Sequence, residues 1–520
     1  MAAGAALAPG SGVADADIST MTGTGNFAAG STLAFDTAAG DRTFTTAVTG
    51  SIGLAKLGGN TLTLSASNAY TGPTTVNAGT LALSGSGDIG SSSGVSLNAS
   101  GARVDISAAG GDRTIATLSG VAGSSVVLGA NSLVVGGAAS TAVAGPISGT
   151  GGLEKTGAGT LTLSGNNTFT GTTTVAAGTL ALEGAPSWQV AGSRAGLAVV
   201  IQDGGRVDAT QVSHQFGWTS NMADITVESG GVLDTTGRDQ FLGSLVLNGS
   251  GTIAGNAANY IAPRGNLTAN PVGGNVASIA TKISLRSAAD SPSGYNGGVH
   301  TFTIGDDATV ADDLTISTEI YGAGSMAKAG AGRLVLSGSN TYIGGTAINA
   351  GTLTAASSTA LGTAAVSIAA GGRLELGAGA VIANAITDLG TGSFLGTLDF
   401  AGGGLARTST ATGTWVNAID GNGSGSGSFF QGSWSDYLVA NPLATPTSAL
   451  GVYGHDSTSN TAWAVIDHNS DFAVIVVPEP GTFVLAGLGL AGIVLIRSRS
   501  SLDPSGCLSR YPSLGRRKRS

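Results

Sequence analysis

Leu161 and Leu163 alternate with Thr160, Thr162 and Ser164, so this short segment has one apolar face and one hydroxyl-bearing face. That period of two predicts a strand half buried against a core. Gly165-Asn166-Asn167-Thr168 then supplies turn chemistry, because Asn tolerates positive φ and bonds its own backbone. Phe169 returns to the core, Gly171 turns again, and Val175 begins another short strand. Ala177-Gly178 makes a further corner before Leu180 and Leu182 point inward. Three strands and three corners make one coil of a stacked β fold. The same wording occurs at 56–81, 155–180 and 328–353. The copies share the Lys, a turn Gly, two Leu, Ser, Asn, a later Gly and the closing Ala-Gly-Thr-Leu. Internal repetition of this kind predicts a quasi-one-dimensional stack.

A looser pattern fills the intervals. Val199–Ala209, Ile225–Thr235 and Val366–Leu376 share alternating apolar positions, a Gly-Gly corner and an apolar-acid ending, and Val95–Ile106 is a longer variant. Gly-Asp-Arg-Thr opens a strand at 40–43 and again at 111–114. The copies start at unequal intervals, so the unit is a coil used irregularly, and evenly spaced sandwich domains or propeller blades are excluded. The fold class expected is all-β: a right-handed parallel β-helix, or β-solenoid, over 20–405, with a small C-terminal cap and a C-terminal hydrophobic helix. At about 22 residues and about 4.8 Å per coil the body would be a rod of roughly 90 Å. Residues 406–475 are richer in aromatics, including Trp415, Trp434 and Trp463, which suits a cap over the last coil. Residues 1–19 read as a remnant of a signal or a flexible lead, with the true start upstream.

Composition narrows the function. The chain has 87 Gly in 520 residues, against a usual share of about 7%, and only 10% charged residues. Gly without a three-residue period excludes collagen, and the alternating apolar strings exclude simple disorder. One cysteine, Cys507, leaves the body without disulfides or a cysteine metal site. The net charge is −9, and seven of the 22 basic residues but only one acid lie after Pro480, so the body before it is more acidic still. A nucleic-acid partner is excluded, because phosphate contacts need clustered cations.

The C-terminus carries a second signal. Pro478-Glu479-Pro480 breaks structure, 483–496 is uncharged and apolar, and Arg497 and Arg499 follow. That stretch is short against a hydrocarbon core of about 30 Å, and its basic side should stay cytoplasmic. Residues 476–500 closely resemble a PEP-CTERM sorting segment. The resemblance implies a partner, an exosortase-type sorting protease that recognises Pro478, Glu479 and Pro480. It also implies transient membrane insertion through 483–496 and a stop at Arg497 and Arg499. This chain departs from the family in the extra basic tail, 501–520. The repeated string itself is similar to the autotransporter-associated β-strand repeat, which implies a β-helical passenger exposed at a bacterial surface. No strand-rich membrane barrel follows it, so export is expected to use other machinery, consistent with the sorting segment.

Candidate chemistry is sparse. No nucleophile elbow, phosphate loop or zinc spacing occurs, and no catalytic residue or cofactor is expected. Asp306, Asp307, Asp312 and Asp313 are the candidates for calcium, or for a carboxylate pair, with two turns as the alternative. Val465-Ile466-Asp467-His468 resembles a short string of pectate lyases, although its Trp is displaced to 463. The least repetitive interval, 186–300, holds Trp188, Arg206, His214 and Trp218, from which an aromatic platform for carbohydrate would come. Lys56, Lys155 and Lys328 recur at one repeat position and are expected to shield an exposed coil edge. The function expected is an exported, cell-envelope or extracellular-matrix β-solenoid, structural or adhesive, with an extracellular polysaccharide or envelope matrix as a further partner. The alternatives are a polysaccharide lyase or hydrolase, recognised by acids converging with cations in one groove, and a carbohydrate-binding surface protein, recognised by coplanar exposed rings.

Overall fold

The structure is a computed structural model that describes residues 3–9, 13–23, 27–183, 197–218, 221–286, 298–369 and 371–377, and short further stretches between 380 and 478. It is a parallel β-solenoid with one short helix among the described residues, Asp15–Gly23. Strands stack into a nineteen-stranded sheet, a thirteen-stranded sheet and a six-stranded sheet, and four-stranded and two-stranded ladders fill the remaining edges. Nineteen strands at about 4.8 Å give a long sheet of roughly 86 Å. Backbone bonds between successive coils typically join residues about 20 apart, as in the amide of Asn77 on the carbonyl of Lys56.

Register follows the alternation read from the sequence. Thr160–Leu163 pairs with Gly178–Leu182 so that Leu161 meets Leu180 and Leu163 meets Leu182. Leu62, Leu64, Leu161, Leu163, Leu334 and Leu336 are all fully buried. One continuous core runs from Ile18 to Ile382, because each coil buries its apolar face only by stacking on its neighbours.

The three copies of the repeat do not share a face. In the first, Gly53–Leu57 lies in the nineteen-stranded sheet and Thr61–Leu64 in the six-stranded sheet. In the later copies, Leu153–Lys155 and Ser325–Ala329 lie in the thirteen-stranded sheet, and Thr160–Leu163 and Arg333–Leu336 in the nineteen-stranded sheet. The intervening coils advance the motif by one face. The repeat therefore specifies a strand-corner-strand unit that fits any corner, which accounts for its unequal spacing.

The recurring lysines correct the sequence reading. Lys56, Lys155 and Lys328 do not shield an exposed edge; their relative exposures are 0%, 2% and 0%. Each sits on an inward position of its strand, and the four-carbon stem runs through apolar packing. The ammonium ends among backbone carbonyls that face inward at a corner. Lys56 Nζ donates to the carbonyls of Leu57 at 2.8 Å, Gly58 at 2.8 Å and Ala78 at 3.1 Å. Lys328 Nζ repeats this on Ala329 at 2.9 Å, Gly330 at 2.8 Å and Ala350 at 3.0 Å. Lys155 Nζ donates to Gly157 and to Ala177. Three donors on one small group match three acceptors that the corner withdraws from the ladder.

At the start of the chain, Ala6–Leu7 pairs with Thr32–Leu33, and the helix Asp15–Gly23 buries Ile18 against the first coils. Arg42 holds this segment through Asp15 at 3.0 Å. At the other end, ladder pairing continues to Asn417–Ala418, and the backbone of Phe429–Gly432, Gly451–Asp456, Thr461–His468 and Asp471–Pro478 forms an antiparallel sheet. The rest of the cap expected over 406–475, the helix expected over 483–496, and Glu479, Pro480, Arg497 and Arg499 lie outside the described residues. The side chains of Asp467 and His468 do too.

Candidate functional site

Many of the acidic side chains accept backbone amides. Two geometries recur. Asp36, Asp105, Asp208, Asp234 and Asp307 each accept the N–H two residues on, closing a local turn. Asp41, Asp112, Asp224 and Asp313 instead accept the N–H of a residue 20 further along, one coil away. The Gly-Asp-Arg-Thr strings at 40–43 and 111–114 are therefore corner ties. Charge-assisted bonds to backbone N–H are among the stronger hydrogen bonds available to a fold.

Two of the four calcium candidates, Asp307 and Asp313, belong to the same system. Asp313 is buried and accepts from the amides of Asp307 at 2.8 Å and Arg333 at 2.6 Å. Asp307 accepts from Gly274 at 2.9 Å and from Thr309, and these bonds hold its carboxyl below the usual carboxylate range. Asp312 faces Arg333 at 3.9 Å, and Asp306 is exposed. Among the described residues no three His, Cys, Asp or Glu side chains gather as a cation site, so the four acids are not brought together as one. Arg206 with Asp234 and Lys282 with Glu319 bridge neighbouring coils, the first on the nineteen-stranded sheet and the second on a short edge sheet, and Arg333 reaches Glu375 two coils on, which Arg373 also faces.

The interval expected to supply an aromatic platform does concentrate rings. Gln240–Leu242, Tyr260–Pro263, Lys282–Ser284 and Ile320–Tyr321 form a short parallel sheet on one edge of the solenoid. His214 stacks on Phe241 at 4.5 Å, and Tyr260 meets Phe241 at 6.1 Å and Tyr321 at 5.7 Å. The Arg286 guanidinium lies 4.7 Å from the Phe241 ring centre and donates to the Tyr260 hydroxyl at 3.2 Å. Burial pushes the Tyr321 phenol up to about 12 and lowers the His214 imidazole. His214 also has φ +64, unique for a non-glycine among the described residues, so some strain is held here. The ring planes of Phe241, Tyr260 and Tyr321 stand at 72° and 83° to each other. Their faces turn towards their neighbours, and no flat stacking surface results. Through His214 the cluster packs the segment that follows Ala209 onto the coils.

Of the residues expected there, His214 joins the cluster and Arg206 lies elsewhere, on the nineteen-stranded sheet. Trp188 and the Trp218 side chain lie outside the described residues. Sequence reading passed over Phe241, Tyr260, Arg286 and Tyr321, because only stacking of distant coils brings them together. It also passed over Thr74, Thr173 and Thr346, identical in the three repeats. Thr74 bonds the Tyr70 hydroxyl at 2.6 Å and Thr346 bonds that of Tyr342 at 2.5 Å, all within the core. Phe169 stands in the Tyr position of the second copy, and Thr173 Oγ1 has no hydrogen-bond partner among the described residues.

Comparison with known proteins agrees with this architecture. The family described as Passenger-associated-transport-repeat matches residues 54–83, 153–182 and 326–355, and the PEP-CTERM protein-sorting motif matches 476–500. The chain carries autotransporter-type passenger repeats and a PEP-CTERM sorting motif. A relative is the adhesin BmaC autotransporter of Brucella suis biovar 1 (strain 1330), 32% identical over 332 residues. The match covers 58% of this chain and 10% of that protein, so the chain spans about a tenth of the relative's length. No solved structure matches. The sorting motif and the adhesin relative support export to the cell envelope or surface. Among the described residues no helix is long and apolar enough to cross a membrane.

Proposed function

We propose that the chain is a structural or adhesive solenoid of the cell envelope, delivered through its PEP-CTERM segment and without enzymatic activity. The observation that carries this reading is the use of the acids. Carboxylates that an enzyme would gather in one groove are distributed along the stack, where they accept backbone amides one turn or one coil away. The adhesin relative supports the same reading. The exosortase-type protease is the partner that Pro478, Glu479 and Pro480 would engage, with Arg497 and Arg499 as the stop.

The test has two arms. Cells that export the chain should attach to a matrix-coated surface more than cells lacking it. The purified protein should leave acidic and neutral polysaccharides unchanged over long incubation. Turnover that disappears on changing Asp306, Asp307, Asp312 or Asp313 would replace this reading with the enzyme.

A further inference from the structure

The antiparallel sheet of Phe429–Gly432, Gly451–Asp456, Thr461–His468 and Asp471–Pro478 ends on the strand that leads into the sorting motif. Asp471–Pro478 pairs along its whole length with Thr461–His468, from His468 opposite Asp471 to Thr461 opposite Pro478. Its other edge meets no strand among the described residues. In an antiparallel pair, successive residues turn their N–H and C=O groups to alternate sides. Every second residue of 471–478 therefore offers those groups to the open edge. The matched sorting motif spans 476–500, so its first residues, Val476, Val477 and Pro478, belong to this strand.

Proteins guard such edges with lysine, an interior proline, a bulge or a very short strand. Asp471–Pro478 has none of these. It is eight residues long, its ladder runs without a shift, and 472–477 are all apolar. Its one charge and its one proline stand at its two ends. The strand at the opposite edge of the sheet, Phe429–Gly432, has only four residues. An unguarded edge of this length is a template for strand addition.

We infer that the open edge of Asp471–Pro478 is the docking surface of the sorting protease, which adds a strand of its own to it. The inference rests on the delivery reading above and extends the recognised element upstream of Pro478-Glu479-Pro480. Continuity selects the occupant. The strand runs into the residues that the protease would engage, so a protein gripping the motif lies against this edge. Reach selects it too. Only 479–482 separate Pro478 from the apolar stretch 483–496. At most about 18 Å of extended chain therefore lies between the strand and the membrane segment. Main-chain hydrogen bonds along the edge would supply affinity, and Pro478-Glu479-Pro480 would supply specificity. Pairing also holds the chain extended through Pro478, which lowers the entropy cost of ordering the motif.

Intact mass of the full chain, exported in a host with the sorting protease, tests this at two neighbouring positions. Val474 and Ile475 turn their amides to opposite sides. Of Val474→Pro and Ile475→Pro, one breaks the ladder to Thr461–His468 and the other strips only the open edge. Hydrogen exchange at 461–468 identifies the variant that leaves the ladder whole. That variant should be processed at least about tenfold more slowly than wild type, although Pro478, Glu479, Pro480 and 483–496 are untouched. Val474→Ala and Ile475→Ala keep both amides and should be processed at the wild-type rate. In an arm that needs no proline, a photoreactive residue at Ala473 or Val474 should capture the protease on the uncut chain. Absence of capture overturns the proposal, as does wild-type processing of the edge variant, which would leave the motif as the whole recognised element. Slow processing of the alanine variants also overturns it, because side chains and not the backbone edge would then be read. A wild-type dimer abolished by the edge variant, with processing unchanged, would give the edge to a second copy. A wild type left uncut defeats the delivery reading and this inference together, whereas the other outcomes defeat the inference alone.

Discussion

At the scale of single residues, the informative groups are the polar ones that the core accepts. Phe169 occupies the place where Tyr70 and Tyr342 bond a buried threonine, and Thr173 is left without that bond. Phe169→Tyr should raise stability by about 1 kcal/mol, read as a higher urea midpoint with an unchanged slope; a lower midpoint would mean the hydroxyl does not fit. The buried ammonium groups give a pH signature. Burial lowers Lys328 to about 8, with Asp313 opposing, and lowers Lys56 and Lys155 in the same direction. Between about 8 and the ordinary lysine value near 10.4, the unfolded chain keeps a proton that folded Lys328 has released. Stability should therefore rise with pH across that window. Tyr70 and Tyr342 are pushed up by burial, so above about 10 the unfolded chain loses protons that the folded chain keeps, and stability should fall. Melting temperature against pH should peak near pH 10. Lys328→Met should flatten the rise at this corner and cost about 2–4 kcal/mol through carbonyls left unpaired.

At the scale of elements, the corners carry the specificity. Asn68, Asn167 and Asn340 are buried, and each side-chain oxygen accepts an amide of the previous coil, from Val48, Ile147 and Ile320. The side-chain amide of Asn340 reaches forward to Ala360, so one residue ties three coils. Asn340→Ala should cost about 1–3 kcal/mol by orphaning a buried N–H. Gly178, from the closing Ala-Gly-Thr-Leu, is harder to replace. Its φ is +70, and an added Cβ would lie 2.3 Å from the Gly157 carbonyl oxygen. Gly178→Ala should cost at least about 2 kcal/mol, since strain and close approach act together. Hydrogen exchange should show the loss concentrated in coils around 155–182; a uniform loss along the chain would mean the stack unfolds as one unit.

At the scale of the whole molecule, each coil contacts its neighbours and little else, so the length of the body scales with the number of coils. Such a rod suits a protein held at one end and displayed outward. The PEP-CTERM segment is at the end where that hold would be applied and then released. In a host with the sorting protease, intact mass of the envelope form should correspond to a chain cut near Pro480. A mature form that keeps Cys507 and the basic end would make the segment a permanent anchor.

The alternation of Leu161 with Thr160 and Thr162 determined the strand and its buried face, because a period of two has one geometric solution in a pleated chain. The repeated corners determined that coils stack, because one coil cannot bury its apolar face alone. What the lysines do was decided only by tertiary structure. In sequence Lys56, Lys155 and Lys328 read as surface charge, and only the closed corner turns carbonyls such as those of Gly58 and Ala78 inward to receive an ammonium. The Phe241–Tyr260–Tyr321 cluster and the outward row of Thr174, Val200, Thr226 and Val246 on the thirteen-stranded sheet were equally hidden. Their members lie 19 or more residues apart along the chain and become neighbours only through the register of stacked coils. Register is set by corner lengths, which vary from coil to coil, so no fixed period in the sequence announces those surfaces.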